Sequence, residues 1–266
     1  MLTDITLGQF FPGNSLLHRL DPRAKIIGTM LFIIAIFLAN SLATYAIVAI
    51  FVMGNFIISR LPVKLILKSL KPLWVIIVFT MGIHVFTTPG QSLWQWGFLH
   101  ITREGVTQGA LMTARLVFLI VFSSLLTYTT SPIVLTDGIE HLLNPFKRFG
   151  VPAHELAMMM TIALRFIPTL LEETERIMKA QTARGANFTS GNILQRGKNM
   201  IPLLVPLFVS AFRRADDLAI AMEARCYRGG TGRTRLHELE YTAKDGAALG
   251  VIIVITVILA GVRWCL

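Results

Sequence analysis

The sequence predicts an all-α integral membrane protein with about five transmembrane helices and a cytoplasmic set of amphipathic helices. The first observation is composition: 54% of the 266 residues are hydrophobic and 15% are charged, which is more apolar surface than a soluble domain of this size can bury. The second is that the apolar residues fall in runs as long as a bilayer crossing. The third is that the basic residues, which bring the net charge to +10, are confined to a few segments.

Four apolar runs define the candidate spans, at residues 26–58, 73–86, 106–128 and 247–262. A helical crossing needs about 20 residues, so the first run is too long for one ordinary span and short for two. Basic residues flank it on both sides, and the positive-inside rule places both clusters in the cytoplasm: Arg19, Arg23 and Lys25 before it, and Arg60, Lys64, Lys68 and Lys71 after it. The run is therefore predicted to cross twice, with a turn at residues 39–41.

The charge distribution also orients the rest of the chain. Residues 131–245 contain 15 of the 25 Lys and Arg residues, which predicts that this segment is cytoplasmic. The loop at 87–105 is predicted to be external, as is the end of the last span near Arg263. The predicted organisation is a transmembrane part formed by residues 1–130 and 246–266 and a cytoplasmic coupling-helix region at 131–245. No cleaved signal peptide is expected, because residues 1–18 contain no Lys or Arg.

Three residue types are candidates for special sites: a buried arginine, the cysteines and the histidines. Arg115 lies inside a predicted span, where an arginine costs about 2.5–3.5 kcal/mol on insertion scales, so it should face protein or water. One interpretation is a structural role, through snorkelling or a buried hydrogen bond, and the other is a direct functional contact. Cys226 and Cys265 are predicted to lie on opposite sides of the membrane and form no disulfide framework. The six histidines never fall at ligand spacing, so each is interpreted as a surface or interfacial residue, and neither a metal site nor a cofactor is expected.

The cytoplasmic region begins with an amphipathic pattern. Over residues 152–178, apolar residues recur at three-and-four spacing, which predicts a helix with a kink at Pro168. Acidic residues follow Pro168 and basic residues come later, an order that complements the helix dipole. Gly185 is expected to end the helix, because glycine adopts the left-handed conformation without steric cost.

A second segment repeats this plan 41 residues later. Aligning Ala183-Arg184 with Ala224-Arg225 pairs Glu175 with Asp216, Ile177 with Leu218 and Ala180 with Ala221. The second helix is predicted to follow Pro202 and Pro206, and the short apolar run at 201–212 suits a buried or interfacial helix start.

The repeated Ala-Arg helix ends suggest a binding role. A small alanine lets a helix end approach a groove closely, and an arginine presents a planar fork of donors suited to carboxylates and carbonyls. Two such ends imply two partner sites, as two nucleotide-binding subunits would offer. The alternative is that each arginine only complements a helix dipole.

Four segments together resemble the transmembrane T component of energy-coupling factor (ECF) transporters, the CbiQ-like family of prokaryotic vitamin and metal importers. They are residues 17–25, residues 163–168, the first signature Ala183-Arg184-Gly185 and the second signature Ala224-Arg225-Cys226. The similarity covers nearly the whole chain. Cys226 stands where the family has glycine, so the helix stop there is in question, and Gly229 and Gly230 would supply it instead.

The resemblance implies a multi-pass subunit of a prokaryotic cell membrane that hydrolyses no ATP itself. By that resemblance, the two signatures bind grooves on a pair of ABC-type ATPase subunits. The cytoplasmic helices then couple closure of the ATPases to a membrane-embedded S component that binds a vitamin, another micronutrient or a metal ion. Arg165 and Pro168 are predicted to form the coupling joint. Met158, Met159 and Met160 suit changing packing partners, with plain core filling as the alternative.

Three other functions fit the sequence less well. A self-sufficient ATPase is disfavoured because residues 191–199 lack both the spacing and the hydroxyl of a phosphate loop. A stand-alone permease usually has inverted repeats of spans and buried ionisable residues, whereas the repeat here lies in the cytoplasmic region. A nucleic-acid binder is disfavoured because acidic residues intersperse the basic cluster at 213–235 and no aromatic residues alternate with it.

Overall fold

The computed structural model describes residues 10–96, 99–188, 192–229 and 238–265. Within these ranges the chain is almost entirely helical, which confirms the predicted fold class. The helices are α1 (Leu16–Arg19), α2 (Pro22–Leu38), α3 (Leu42–Ser59), α4 (Val63–Leu70), α5 (Trp74–Thr87), α6 (Arg103–Thr129), α7 (Pro132–Leu143), α8 (Ala153–Ala183), α9 (Ile193–Ala224) and α10 (Ala243–Cys265), with 3-10 turns at Lys71–Leu73 and Asn144–Phe149. An antiparallel hairpin, β1 (Ser92–Trp96) with β2 (Leu99–Thr102), occupies the loop predicted to be external.

The chain divides into two compact units. The first contains the described residues between 10 and 138 and those between 238 and 265, and the second contains the described residues between 139 and 229. The boundary near residue 138 falls inside α7. The division at residues 130–131 into transmembrane and cytoplasmic parts stays a prediction. The second unit contains α8 and α9 and therefore most of the predicted coupling-helix region.

The predicted turn at residues 39–41 is present between α2 and α3. Asp21 caps α2, since its side chain accepts a hydrogen bond from the Arg23 amide. Ser41 and Thr44 form a reciprocal capping box at the start of α3, which satisfies amide groups that a helix start otherwise leaves unpaired. The long first apolar run is thus two helices, as predicted.

Five helical segments of the described chain are long and apolar enough to cross a membrane, as many as predicted, but they are not the same five. They are Leu42–Ser59, Val63–Thr87, Arg103–Thr129, Ala153–Ala183 and Ala243–Trp264. The 17-residue α2 is about 25 Å long, less than a hydrocarbon core of about 30 Å. Helix α8 qualifies instead because its charges are concentrated after Pro168, although the mean hydropathy of its 18-residue apolar stretch, 1.2, is below the 1.7–2.4 of the corresponding stretches in the other four.

The core of the first unit is an aromatic cluster between three helices. Phe32 of α2 stacks on Phe122 of α6 with ring centroids 3.9 Å apart, and Phe51 of α3 lies 5.8 Å from both. Leu259 of α10 is fully buried in the same cluster. The buried carboxylate of Asp245 accepts a 2.7 Å hydrogen bond from the Asp21 amide and so joins the starts of α10 and α2.

Arg115 faces protein, as predicted, and makes a partly buried hydrogen bond. Its Nη2 donates to the Ala39 carbonyl over 2.8 Å, and its guanidinium lies over the rings of Phe37 and Tyr45 at 5.5 and 5.9 Å. A cation at the C-terminal end of α2 also complements the dipole of that helix. Of the two interpretations, the structure supports the buried hydrogen bond.

Candidate partner-binding site

Helix α8 ends at the glycine that the sequence indicated, Gly185, whereas α9 is longer than the sequence indicated. Helix α8 runs without interruption through Pro168, so this proline is not a helix start. The prediction that α9 follows Pro202 and Pro206 is wrong, because α9 begins at Ile193 and contains both prolines. Each proline removes one backbone donor, but the hydrogen-bonded turns on either side, and the packing of α9 against α8, keep the 32-residue helix continuous.

Helices α8 and α9 pack as an antiparallel pair. The Glu173 carboxylate of α8 accepts hydrogen bonds from Ser210 Oγ at 2.6 Å and Arg214 Nη2 at 2.9 Å. Nearer the connection, Gln181 Nε2 donates to the Pro202 carbonyl at 3.5 Å. Positions later in α8 thus contact positions earlier in α9, which defines the antiparallel orientation.

The ion pair between Glu173 and Arg214 relates the two halves of the repeat. Each residue lies eleven positions before its signature arginine, so equivalent positions of the two copies contact each other. Contacts between equivalent positions are typical of a two-fold relation. Because the helices are antiparallel, the two signatures lie in opposite directions from this contact. Each signature arginine is about 16 Å from it along the helix axis.

The two signatures end their helices in the same way. After α8, the Gly185 amide donates to Thr182 O at 3.0 Å and the Ala186 amide donates to Gln181 O at 2.9 Å. After α9, the Cys226 amide donates to Glu223 O at 2.9 Å and the Tyr227 amide donates to Met222 O at 3.0 Å. Both patterns are the Schellman motif, which satisfies carbonyl groups at a helix C-terminus.

Cys226 takes the left-handed position that glycine takes in the first signature. Its φ is 57°, compared with 89° at Gly185. The expectation that Gly229 and Gly230 supply the stop is wrong, because α9 already ends at Ala224; Gly230 itself lies outside the described residues. A left-handed conformation costs a residue with a Cβ roughly 1–2 kcal/mol, so the packing and hydrogen bonds of this helix end hold Cys226 in an unfavourable conformation.

The signature side chains are accessible. Ala183, Arg184, Ala224 and Arg225 are all exposed. Within the described parts of the chain, neither guanidinium makes a hydrogen bond or an ion pair. Two arginine forks with their hydrogen-bonding capacity unused, held at capped helix ends, can each donate to a carboxylate or carbonyl of another molecule.

Other predicted site residues lie on the surface of α8. Arg165 and Pro168 are both exposed near the middle of the helix. Met159 and Met160 are 55% and 44% exposed, so core filling within this unit does not explain these two methionines. The described residues contain no group of three or more His, Cys, Asp or Glu side chains that could hold a metal ion.

His154 makes contacts that no sequence pattern predicted. His154, interpreted as a surface residue, is mostly shielded and has hydrogen-bond partners on both ring nitrogens: Glu140 and Tyr227. The partners are 14 positions before it and 73 after it, so no local spacing indicates the contact.

Comparison with known proteins identifies the family. The model of the CbiQ family, described as cobalt transport protein, matches residues 13–236. A protein of Acidaminococcus fermentans named energy-coupling factor transporter transmembrane protein EcfT is 62% identical over 264 residues, which are 99% of this chain and 98% of the relative. Proteins of the same name from Brevibacillus brevis and Bacillus subtilis are 55% and 49% identical, over 97% and 99% of this chain and 98% and 100% of their own lengths. The chain belongs to the CbiQ family of ECF transporter T components.

Membership in this family establishes the general role and the localisation of the chain. A T component is the transmembrane energy-coupling part of an ECF transporter, and this one is a multi-pass protein of the cell membrane. The resemblance drawn from the four sequence segments is thereby confirmed.

Proposed function

We propose that this T component couples ATP hydrolysis by two cytoplasmic ATPase subunits to movement of a membrane-embedded S component that binds the imported micronutrient. It hydrolyses no ATP itself. The observation that carries the proposal is the pair of identically capped helix ends, each with an exposed arginine, on opposite sides of a shared ion pair.

The geometry suits a pair of similar partners. A two-fold relation between the signatures fits two ATPase subunits that are themselves arranged as a pair, with one groove for each helix end. In each groove Ala183 or Ala224 allows close approach, and the arginine beside it donates to a carboxylate or carbonyl. A change in the separation of the grooves would then act on α8 and α9 at both ends of the antiparallel pair.

An apolar face on α9 supports a partner in the membrane. Val205, Phe208 and Phe212 are 56%, 61% and 68% exposed, and an exposed apolar surface of this kind is typical of a protein or membrane contact. We propose that the S component contacts this face, together with the exposed methionines of α8. Arg165 and Pro168 would form the joint through which movement of α8 reaches that contact.

The assembly test removes both arginine forks. The variant carrying Arg184→Ala and Arg225→Ala should lose both ATPases on co-purification, because each buried charged contact is worth on the order of 2–5 kcal/mol. Arg213→Ala is the matched control, since Arg213 is an exposed arginine of α9 outside the signatures, and it should retain both. Undiminished recovery of both ATPases with the double variant would refute the proposal.

A further inference from the structure

The second helix end is joined to the start of α8 by a relay of hydrogen bonds. The Tyr227 hydroxyl lies 3.2 Å from His154 Nε2, and His154 Nδ1 lies 3.0 Å from the Glu140 carboxylate. The side chains of His154 and Glu140 are 22% and 14% exposed, so water competes little for these bonds. The relay links the end of α9 to α8 and α7.

The chemistry of the three groups assigns their roles. An ionised carboxylate only accepts hydrogen bonds, so the proton lies on Nδ1 of His154. In a neutral ring, Nε2 is then an acceptor, and the Tyr227 hydroxyl donates to it. His154 thus donates through Nδ1 to the Glu140 carboxylate and accepts through Nε2 from the Tyr227 hydroxyl.

Tyr227 belongs to the second signature's helix cap. Its amide completes the Schellman motif by donating to Met222 O, while its side chain enters the relay. The backbone two residues beyond Arg225 is thus held from both sides. A fixed cap limits the directions in which the Arg225 side chain can leave the helix end.

The first signature lacks this relay. Ala186 occupies the position equivalent to Tyr227 and has no side-chain group that can donate. The chain after the first signature is held instead by a 2.7 Å hydrogen bond from Asn199 Nδ2 to the Asn187 carbonyl, which comes from α9 itself. The two helix ends therefore have the same backbone hydrogen bonds, but different groups hold the chain that follows them.

We propose that Glu140, His154 and Tyr227 are positioning residues that pre-organise Arg225 for its ATPase subunit, and that no equivalent relay among the described residues positions Arg184. This inference rests on the proposed function. A pre-organised helix end loses less conformational entropy on binding. Removing the relay should therefore weaken the second ATPase contact on the order of tenfold and leave the first unchanged.

The first experiment measures the free chain in detergent. A nitroxide label on Cys226, in a chain carrying Cys265→Ser, reports motion of the second end. The matched control carries Gly185→Cys, Cys226→Gly and Cys265→Ser, which moves the label to the equivalent position of the first end. Tyr227→Phe removes only the hydroxyl and should increase label mobility at 226 and not at 185. Unchanged mobility at 226, or an equal increase at both positions, would overturn the proposal.

The second experiment measures binding of one ATPase subunit, using chains in which one signature is disabled. In the Arg184→Ala background, where the second signature acts alone, Tyr227→Phe should weaken binding about tenfold. In the Arg225→Ala background it should have no effect, and a loss there as large as in the other background would contradict a positioning role for Arg225. If neither arginine substitution by itself alters ATPase binding, the proposed function fails, and the label measurement still decides whether the relay holds the helix end.

Discussion

Exchanging the residues at the two left-handed positions tests the account of the helix ends. Gly185 and Cys226 have the same hydrogen-bonding pattern and differ in whether a Cβ is present. A Cβ added at Gly185 meets no atom within 4 Å, so the cost of Gly185→Ala arises from backbone strain and not from a clash. The reverse change, Cys226→Gly, removes the same strain.

The change in free energy of the helix end is the difference between two opposing contributions. A left-handed conformation costs a residue with a Cβ about 1–2 kcal/mol, whereas glycine adds about 0.4–1 kcal/mol of unfolded-state entropy. The net effect on the helix end is about 0.5–1 kcal/mol, destabilising for Gly185→Ala and stabilising for Cys226→Gly.

Amide hydrogen exchange of the capped residues provides the assay. The Ala186 and Tyr227 amides each close a Schellman motif, so their exchange reports opening of the two helix ends. Ala186 should exchange about two- to fivefold faster in Gly185→Ala, and Tyr227 about two- to fivefold slower in Cys226→Gly. Changes in the same direction in both variants, or no change in either, would refute the reasoning.

Three further predictions concern topology, the membrane core and coupling. In a chain with Cys265→Ser, the remaining Cys226 should react with an impermeant thiol reagent only from the cytoplasmic side. In a chain with Cys226→Gly, the remaining Cys265 should react only from outside, and the opposite result would contradict the charge-based orientation. Arg115→Met should lower the free energy of unfolding by about 1.5–3 kcal/mol, because the charged hydrogen bond to the Ala39 carbonyl is lost; an unchanged or raised melting temperature in detergent would show that this contact does not stabilise the turn. Pro168→Ala restores a backbone donor inside α8 and should retain both ATPases while lowering uptake per ATP in reconstituted vesicles; unchanged uptake per ATP would exclude Pro168 as the coupling joint.

Local patterns predicted much of the molecule correctly. The turn between α2 and α3 followed from run length and flanking charge, and the equivalence of the signatures followed from the 41-residue offset. Both features are determined by residues that lie close together in the sequence, so the pattern of apolar and charged residues is enough to predict them.

Features that depend on tertiary contacts were missed or predicted wrongly. Pro202 and Pro206 appeared to precede a helix, but packing and the flanking turns carry α9 through both. Cys226 in the glycine position put the helix stop in question, but the hydrogen bonds of the cap hold it at positive φ. The bonds of His154 to Glu140 and Tyr227 join three separate parts of the sequence, and no single stretch contains a pattern for them.

The central claim is that each signature binds one ATPase subunit. Native mass spectrometry of the purified complex counts the subunits directly. The wild-type chain should carry two ATPase subunits, Arg184→Ala and Arg225→Ala should each carry one, and the double variant should carry none. Two subunits retained by both single variants and by the double variant would contradict the claim.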